Sequence, residues 1–391
     1  MEKQWDIVIV GGGLSGLALA AELAAPEFEA LSVLVLEKRF AYQRDRTWSY
    51  WKPIDGNQHR YSGLERASWD AWAVSLAGCT RLQSSQKYRY ATIDAGVFYS
   101  EAMRRIASTK HVQLRLGEGV ISVEAPNGCV HTTITTERGD ILKARWVFDA
   151  RPPQRMAPST VVQQFEGWEV HTERDVFDVS KVQLMAFKPH VSGLHFWYVL
   201  PYSARSALIE STWISPASWQ PDFNQELRQH LSTLLQGQPY SVQYQEKGML
   251  PLDAVKPDPA NRVLALGRGG GTLRPSTGYA FLDTLEHAKA LADSLRKALN
   301  DDGFEKRGLS WQPQAFVRPA TDHWMDAVFL NVLSKDWLMA PQYFMQMFER
   351  VDADGVVAFL SGRASLSQRL AVMRALPVAP FVIAALKRML V

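Results

Sequence analysis

Hydrophobic runs of two different periods divide this chain. Residues 6–10 (DIVIV) form a short β-branched run, which predicts a strand buried on both faces. Gly11-Gly12-Gly13-Leu14-Ser15-Gly16 follows, and the alanine-rich stretch 17–25 then predicts a helix. A second buried strand is expected over 33–36 (VLVL), ending at Glu37. Together these pieces make a βαβ unit of about 30 residues. Residues 88–106 read as an extended segment that turns at 94–96 into a helix. The stretch 112–149 reads as a small β-meander whose last part, 144–149 (ARWVFD), returns to a parallel-strand pattern.

From 161 to 248 the alternation has period two, as in 182–187, 194–200 and 207–212, with Pro189, Gly193 and Pro201 at the breaks. That is the pattern of an antiparallel sheet. Residues 263–266 repeat the short buried-strand pattern, and 284–300 carry helical apolar spacing. Residues 324–391 fit helices broken at Pro341, Gly355, Pro377 and Pro380. The fold class expected is α/β, with a two-part Rossmann-like nucleotide domain over 1–160 and 258–302 that carries small insertions. An inserted antiparallel β-sheet substrate domain spans 161–257, and a helical C-terminal region spans 303–391.

Composition narrows the class. A chain of 391 residues, 47% hydrophobic and 21% charged, is globular and long enough for two or three domains. A net charge of +3 is too small to argue for nucleic acid. The 13 tryptophans either fill cores or line a site for a long, apolar, unsaturated ligand. Cys79 and Cys129 lack metal or redox spacing, so neither a disulfide framework nor a metal centre is expected. The chain enters a strand almost at once, and no apolar run reaches the roughly 18 residues that span a bilayer. A cytoplasmic location is expected, with peripheral contact at the inner face of a membrane left open.

Chemistry enters with Gly11-x-Gly13-x-x-Gly16. The first glycine permits the tight turn, the second lets backbone approach a pyrophosphate, and the third allows close helix–strand packing. Glu37, 21 residues after Gly16, is placed to accept from a ribose hydroxyl, unless it is a solvated strand-end charge. FAD is expected rather than NAD, because a glycine-rich strand–loop–helix reappears at 263–290, where two-part FAD domains return to the cofactor. The turn from Pro275 to Gly278 in that loop can present backbone amides to a flavin ring. Glu210 is the lone acid in the apolar strand 206–212. Such a carboxyl either holds a proton near neutral pH or closes an ion pair with an arginine such as Arg205.

The chain resembles the bacterial and plant lycopene β-cyclases, within the wider group of FAD-dependent hydroxylase-like folds. The likeness runs nearly end to end. It rests on Arg46-Thr47-Trp48-Ser49-Tyr50, on Tyr90-Ala91-Thr92-Ile93 with Phe98, and on Val147-Phe148-Asp149-Ala150-Arg151. Further on it rests on Phe165-Glu166-Gly167-Trp168-Glu169-Val170, Leu208-Ile209-Glu210-Ser211-Thr212 and Gly248-Met249-Leu250-Pro251-Leu252. The turn 274–279 and the tail segments 344–348, Phe359-Leu360-Ser361-Gly362 and Leu376-Pro377 complete it. Arg268 stands where hydroxylases usually carry aspartate, which favours the cyclase branch. The chain departs from the family in having Ser211 where a second carboxylate is usual, and Asp45-Arg46 where Asn-His is common.

The resemblance implies a non-redox cyclase that uses reduced FAD, fed by NAD(P)H, to turn the ψ end of lycopene or a related polyene into a β-ionone ring. It implies FAD contacts from Gly11, Gly13, Leu14, Ser15, Gly16, Glu37, Lys38, Thr47, Asp149, Pro275, Thr277, Gly278 and Tyr279. Glu210 is the implied proton-transfer residue, as acid or as base, and Trp48, Trp168 and Trp213 are candidates for lining the polyene tunnel. A flavin monooxygenase or reductase on the same scaffold, or a non-catalytic polyene carrier, is the alternative. The apolar end 380–391, with Lys387 and Arg388, either docks on a membrane or packs on the core.

Overall fold

The computed structural model describes residues 3–55, 59–125, 130–152, 157, 160–253, 263–300 and 311–389. The chain opens with β1 (Lys3–Val10), α1 (Leu14–Leu23) and β2 (Val33–Glu37). Short strands follow: β3 (Thr47–Pro53), β4 (Ala67–Trp69), β5 (Ala71–Leu76), β6 (Cys79–Ser84) and β7 (Tyr88–Asp94). Helix α2 (Ala95–Ala107) leads to β8 (Val112–Leu116), β9 (Val120–Glu124), β10 (Thr132–Thr136) and β11 (Ile141–Asp149). The longer strands β12 (Val161–Thr172), β13 (Val182–His190), β14 (Gly193–Ser203) and β15 (Ser206–Pro216) precede α3 (Phe223–Leu234) and β16 (Tyr240–Pro251). After β17 (Val263–Ala265) and α4 (Phe281–Leu299) come α5 (Ala320–Lys335), α6 (Ala340–Arg350), α7 (Ala353–Leu360), α8 (Leu366–Ala375) and α9 (Val378–Met389).

The first sheet runs β8-β2-β1-β11-β10-β9, with β17 added to the C-terminal end of β11. Strands β8, β2, β1, β11 and β17 are parallel, and β9 and β10 form an antiparallel flap. Strand β8, expected in the meander, instead extends the parallel edge. Ile7, Ile9, Val33 and Val35 face α1, α2 and α4, while Val8, Val10, Leu34 and Leu36 pack beneath the flap. Burial on both faces explains why these strands read as unbroken apolar runs. The register sets Val10 beside Leu36 and Asp149, and Asp149 beside Ala265. Four strand ends, from β1, β2, β11 and β17, therefore stop at one edge.

The second sheet runs β16-β12-β15-β14-β13-β5-β6, antiparallel except for β13 against β5. Its β5–β6 hairpin comes from 71–84, a stretch that the sequence places in the first domain. A third sheet, β3-β7-β4, bridges the two. One face of the second sheet buries Leu184, Phe187, Leu194, Phe196 and Leu208 against α6 and its neighbours, and the other face is covered by α3. The expected helix breakers mark helix starts. Pro341 stands in the first turn of α6, where a missing N–H costs nothing, and Gly355 and Pro380 lie in the first turns of α7 and α9. Among the described residues, no helix is long and apolar enough to cross a membrane.

Candidate active site

At the common strand edge, Gly11 takes φ +98°, a conformation that favours glycine, and its N–H donates to Leu36 O at 2.8 Å. A Cβ on Gly16 would fall 1.9 Å from Gly11 O, so α1 approaches the loop as only glycine allows. Beside Gly13, by contrast, a Cβ would meet nothing within 4 Å. Helix α1 begins there with no side-chain cap and no acid in its first turn, which leaves its N-terminal amides and positive dipole end free for an anion. Leu14 and Ser15 form its first turn. Ser15 also meets the late loop, where a Cβ on Gly267 would lie 2.7 Å from its Oγ.

Glu37 is buried and accepts from Gly12 N at 2.6 Å and from Arg39 N and Nε at 2.9 and 3.0 Å. Burial opposes its charge, but the Arg39 side chain and the two amides hold the carboxyl below its ordinary value. It is not a solvated strand-end charge. The open space at Gly13, the uncapped helix start and the ionised Glu37 together fit a dinucleotide pyrophosphate and ribose. Lys38 is exposed, and its neighbour Arg39 donates to Gly12 O at 3.0 Å and lies over the Tyr42 and Tyr99 rings. Asp149 sits at the right edge but is paired with Arg151 at 2.7 Å.

The turn from Arg274 to Tyr279 is closed by its own backbone. Gly278 N and Thr277 N donate to Arg274 O at 2.8 and 3.3 Å, and Arg274 N donates to Tyr279 O at 2.8 Å. The amides of Thr277 and Gly278 thus shape the turn and are not left free for a ring, as the sequence had suggested. Gly278 adopts φ +71°, and Pro275 is buried. Arg274, itself 3% exposed, is held by Asp326 of α5 at 3.0 Å and by Phe359 O, and Ser276 Oγ donates to Asp326 at 2.7 Å. The turn is thereby fastened to the helical region.

Against this turn lies a cavity of about 250 Å³, lined by Trp48, Tyr90, Tyr198, Glu210, Tyr279 and Phe344 among others. Thr47 is also at its wall, and Trp48 stacks on Phe281 with ring centroids 5.6 Å apart. Tyr198 Oη lies 2.8 Å from Ser49 Oγ and 2.9 Å from Tyr90 Oη. Burial holds the Tyr90, Tyr198 and Tyr279 phenols well above their ordinary pKa, so all three stay neutral. A larger cleft of about 780 Å³ opens beside α1 and α4. Its acids are ion-paired, Glu22 with Arg60 and Glu286 with Arg363.

Glu210, in the centre of β15, lines the smaller cavity. Burial, and then the negative charge of Glu246, push its carboxyl up to about 8, against the opposing donation from Thr212 Oγ1. The expected alternative partner, Arg205, is committed to Asp175 at 2.7 Å. Burial thus favours the protonated form of Glu210 near neutral pH. Trp168 and Trp213 do not share its cavity. Trp168 pairs with Ile209 in the register and packs with Leu227 and Leu231 of α3, and Trp213 Nε1 donates to Glu226 at 3.1 Å. Both stand on the opposite face of the sheet, because neighbours along a strand alternate sides. Ser211 is on that face too, donating to Glu226 at 2.5 Å, so the departure from the family's acidic pair lies outside the cavity.

Arg39, Asp326 and Glu246 escaped the sequence reading. Only Arg39, two residues after Glu37, left a local signal. The other two depend on pairings across 52 and 36 residues that only the fold creates: Arg274 with Asp326, and Glu210 with Glu246.

With the site in view, relatives place the chain. The family model described as lycopene cyclase protein matches residues 6–386. A lycopene beta-cyclase of Pantoea ananas is 26% identical, covering 99% of this chain and 98% of the relative. One of a Paracoccus species is 24% identical, with 96% and 95% covered. Among solved structures, a geranylgeranyl bacteriochlorophyll reductase-like protein of Thermoplasma acidophilum superposes with TM-score 0.60 at 14% identity, covering 100% of this chain and 99% of that one. A halogenase in complex with FAD gives TM-score 0.61 at 14% identity, with 98% and 86% covered. These two share the fold. The match of the family model over nearly the whole length decides the rest: the chain belongs to the lycopene cyclase family of enzymes.

Proposed function

We propose that the protein converts the acyclic ψ end of lycopene, or of a related polyene, into a β-ionone ring without net oxidation or reduction. The observation that carries this reading is the buried Glu210, its carboxyl pushed up to about 8, facing an aromatic-lined cavity beside the turn 274–279. Cyclisation adds a proton to the terminal double bond, joins the resulting tertiary cation to the neighbouring alkene and releases a second proton, so mass is unchanged. Glu210 supplies the first proton. The Trp48, Tyr90 and Tyr198 rings face the cation with π-electron density and exclude water that would trap it. The buried phenols, held neutral, do not compete as bases.

Gly11, Gly13, Ser15, Gly16 and Glu37 would hold FAD, with the turn 275–279 at its ring end. Bound in reduced form, FAD supplies negative charge beside the cavity. NAD(P)H is the proposed electron source for that reduction.

Helix α9 supports a peripheral membrane contact. Phe381 packs against Phe329 and Tyr343, while Val382, Ile383 and Leu386 are exposed next to the exposed Lys387 and Arg388. An apolar ridge flanked by cations suits an anionic lipid surface that carries a lipophilic substrate.

Expression in a lycopene-accumulating host, followed by pigment chromatography and mass spectrometry, tests the reading. The expected product is a cyclic isomer of lycopene, absent with Glu210→Gln. A product altered by an oxygen atom or two hydrogens, with oxygen-dependent NAD(P)H consumption, would overturn it.

A further inference from the structure

Glu210 has a companion that the reading above leaves unused. The strand register places Tyr198, Glu210, Gly167 and Glu246 in a single row across β14, β15, β12 and β16. With strands about 4.8 Å apart, the two glutamates start about 10 Å apart at the backbone. The residue between them has no side chain. A Cβ built on Gly167 would lie 3.2 Å from Leu208 Cδ1 and 3.5 Å from both Glu210 Cβ and Glu246 Cγ, so both acids flank the same gap, with the Leu208 methyl at its edge.

Glu246 is 5% exposed, and Tyr244 Oη donates to its Oε2 at 2.9 Å. The neighbouring cations are committed elsewhere. Arg44 pairs with Glu169 at 2.7 Å and Asp94 at 3.3 Å, and Arg66 with the same two acids at 2.6 and 3.6 Å. Two guanidinium groups thus face two carboxylates, and among the described residues none makes an ion pair with Glu246. Burial, first, raises its carboxyl to about 7, while Tyr244, Thr47 and Arg44 pull it down and Asp94 pushes it up. Tyr198 lies beside Glu210 in the row, and Tyr202, Asp45 and Arg44 surround the network behind Tyr244.

We infer that Glu246 is a positioning residue for Glu210: a second buried carboxyl, aligned across the gap at Gly167, that keeps Glu210 in its acid form between turnovers. The inference rests on the proposed role of Glu210 as the acid. Its proton balance closes. Glu210 gives a proton to the alkene carbon and becomes a carboxylate, the ring C–H electron pair becomes the ring double bond as its proton returns to that carboxylate, and the carboxyl pair ends with the count it began with. Glu246 also makes escape of that proton costly, because ionising Glu210 would set two negative charges across a dry gap.

The test compares pH profiles of kcat/KM for the FAD-loaded protein, with lycopene in liposomes, for wild type, Glu246→Gln, Glu246→Asp and Glu210→Gln. Infrared titration of the Glu210 carboxyl band on the substrate-free holoenzyme runs alongside. Glu246→Gln, isosteric and relieved of a buried charge, is expected to move the alkaline limb and the band midpoint to lower pH by about one unit, a ~10-fold loss above the limb and little change below it. Glu246→Asp, which withdraws the charge by one methylene, is expected to shift both by less in the same direction. An unmoved limb and midpoint in both variants, or a uniform loss across pH, would overturn the inference. Normal cyclisation by Glu210→Gln would instead sink the acid assignment itself.

Discussion

Burying a protonated carboxyl at the centre of β15 makes stability depend on pH in a direction opposite to that of ordinary ion-paired acids. Glu210 titrates near 4.5 when unperturbed and at about 8 in the folded chain. Between those values the folded form binds a proton that the unfolded chain has lost. Its contribution to stability is thus fully present below the unfolded value and is lost as pH rises through the folded one. From about pH 4.5 to about pH 7 the difference spans ~2.5 units, or about 3 kcal/mol. Glu210→Gln keeps the shape and abolishes the titration. Urea unfolding of variant and wild type, followed by tryptophan fluorescence from about pH 5 to about pH 8, should show the variant gaining on the wild type as pH rises. Some slope persists in the variant, since Glu246 is also raised, to about 7. Parallel stability curves would refute the burial argument, because a solvated or ion-paired Glu210 contributes no such slope.

The other expectations concern single contacts. Gly16→Ala drives a Cβ to 1.9 Å from Gly11 O, and the purified protein should show flavin affinity reduced by ~10-fold or more in a fluorescence titration. Asp326→Ala leaves the Arg274 guanidinium buried without its counter-charge, and thermal unfolding should report a loss of about 3–5 kcal/mol. Trp213→Phe deletes a hydrogen bond to Glu226 on the far face and should cost about 1 kcal/mol with KM for the polyene unchanged, whereas Trp48→Ala should alter KM or turnover.

The parts of this protein legible in its sequence are those whose causes are local. The buried strands β1 and β2, the glycine loop before α1 and the helix α4 follow from short-range periodicity and from backbone conformations that favour glycine. The period-two pattern of β15 likewise carried the information that Glu210 and Trp213 point to opposite faces, although their nearness in one apolar strand invited the assumption that they line one tunnel. Tertiary structure alone decided the rest. Whether 71–84 pairs within the first domain or extends the second sheet depends on which edge is available, and no local residue states it. The row Glu210–Gly167–Glu246 exists because two long antiparallel pairings share one register, and a one-residue slip in either would turn a carboxyl out of the gap. The sequence by itself therefore determined the cofactor cradle and named one acid. The packing of sheet, turn and helices determined that this acid is buried, raised above its ordinary pKa and accompanied, because desolvation and charge coupling arise only between residues that the fold brings together.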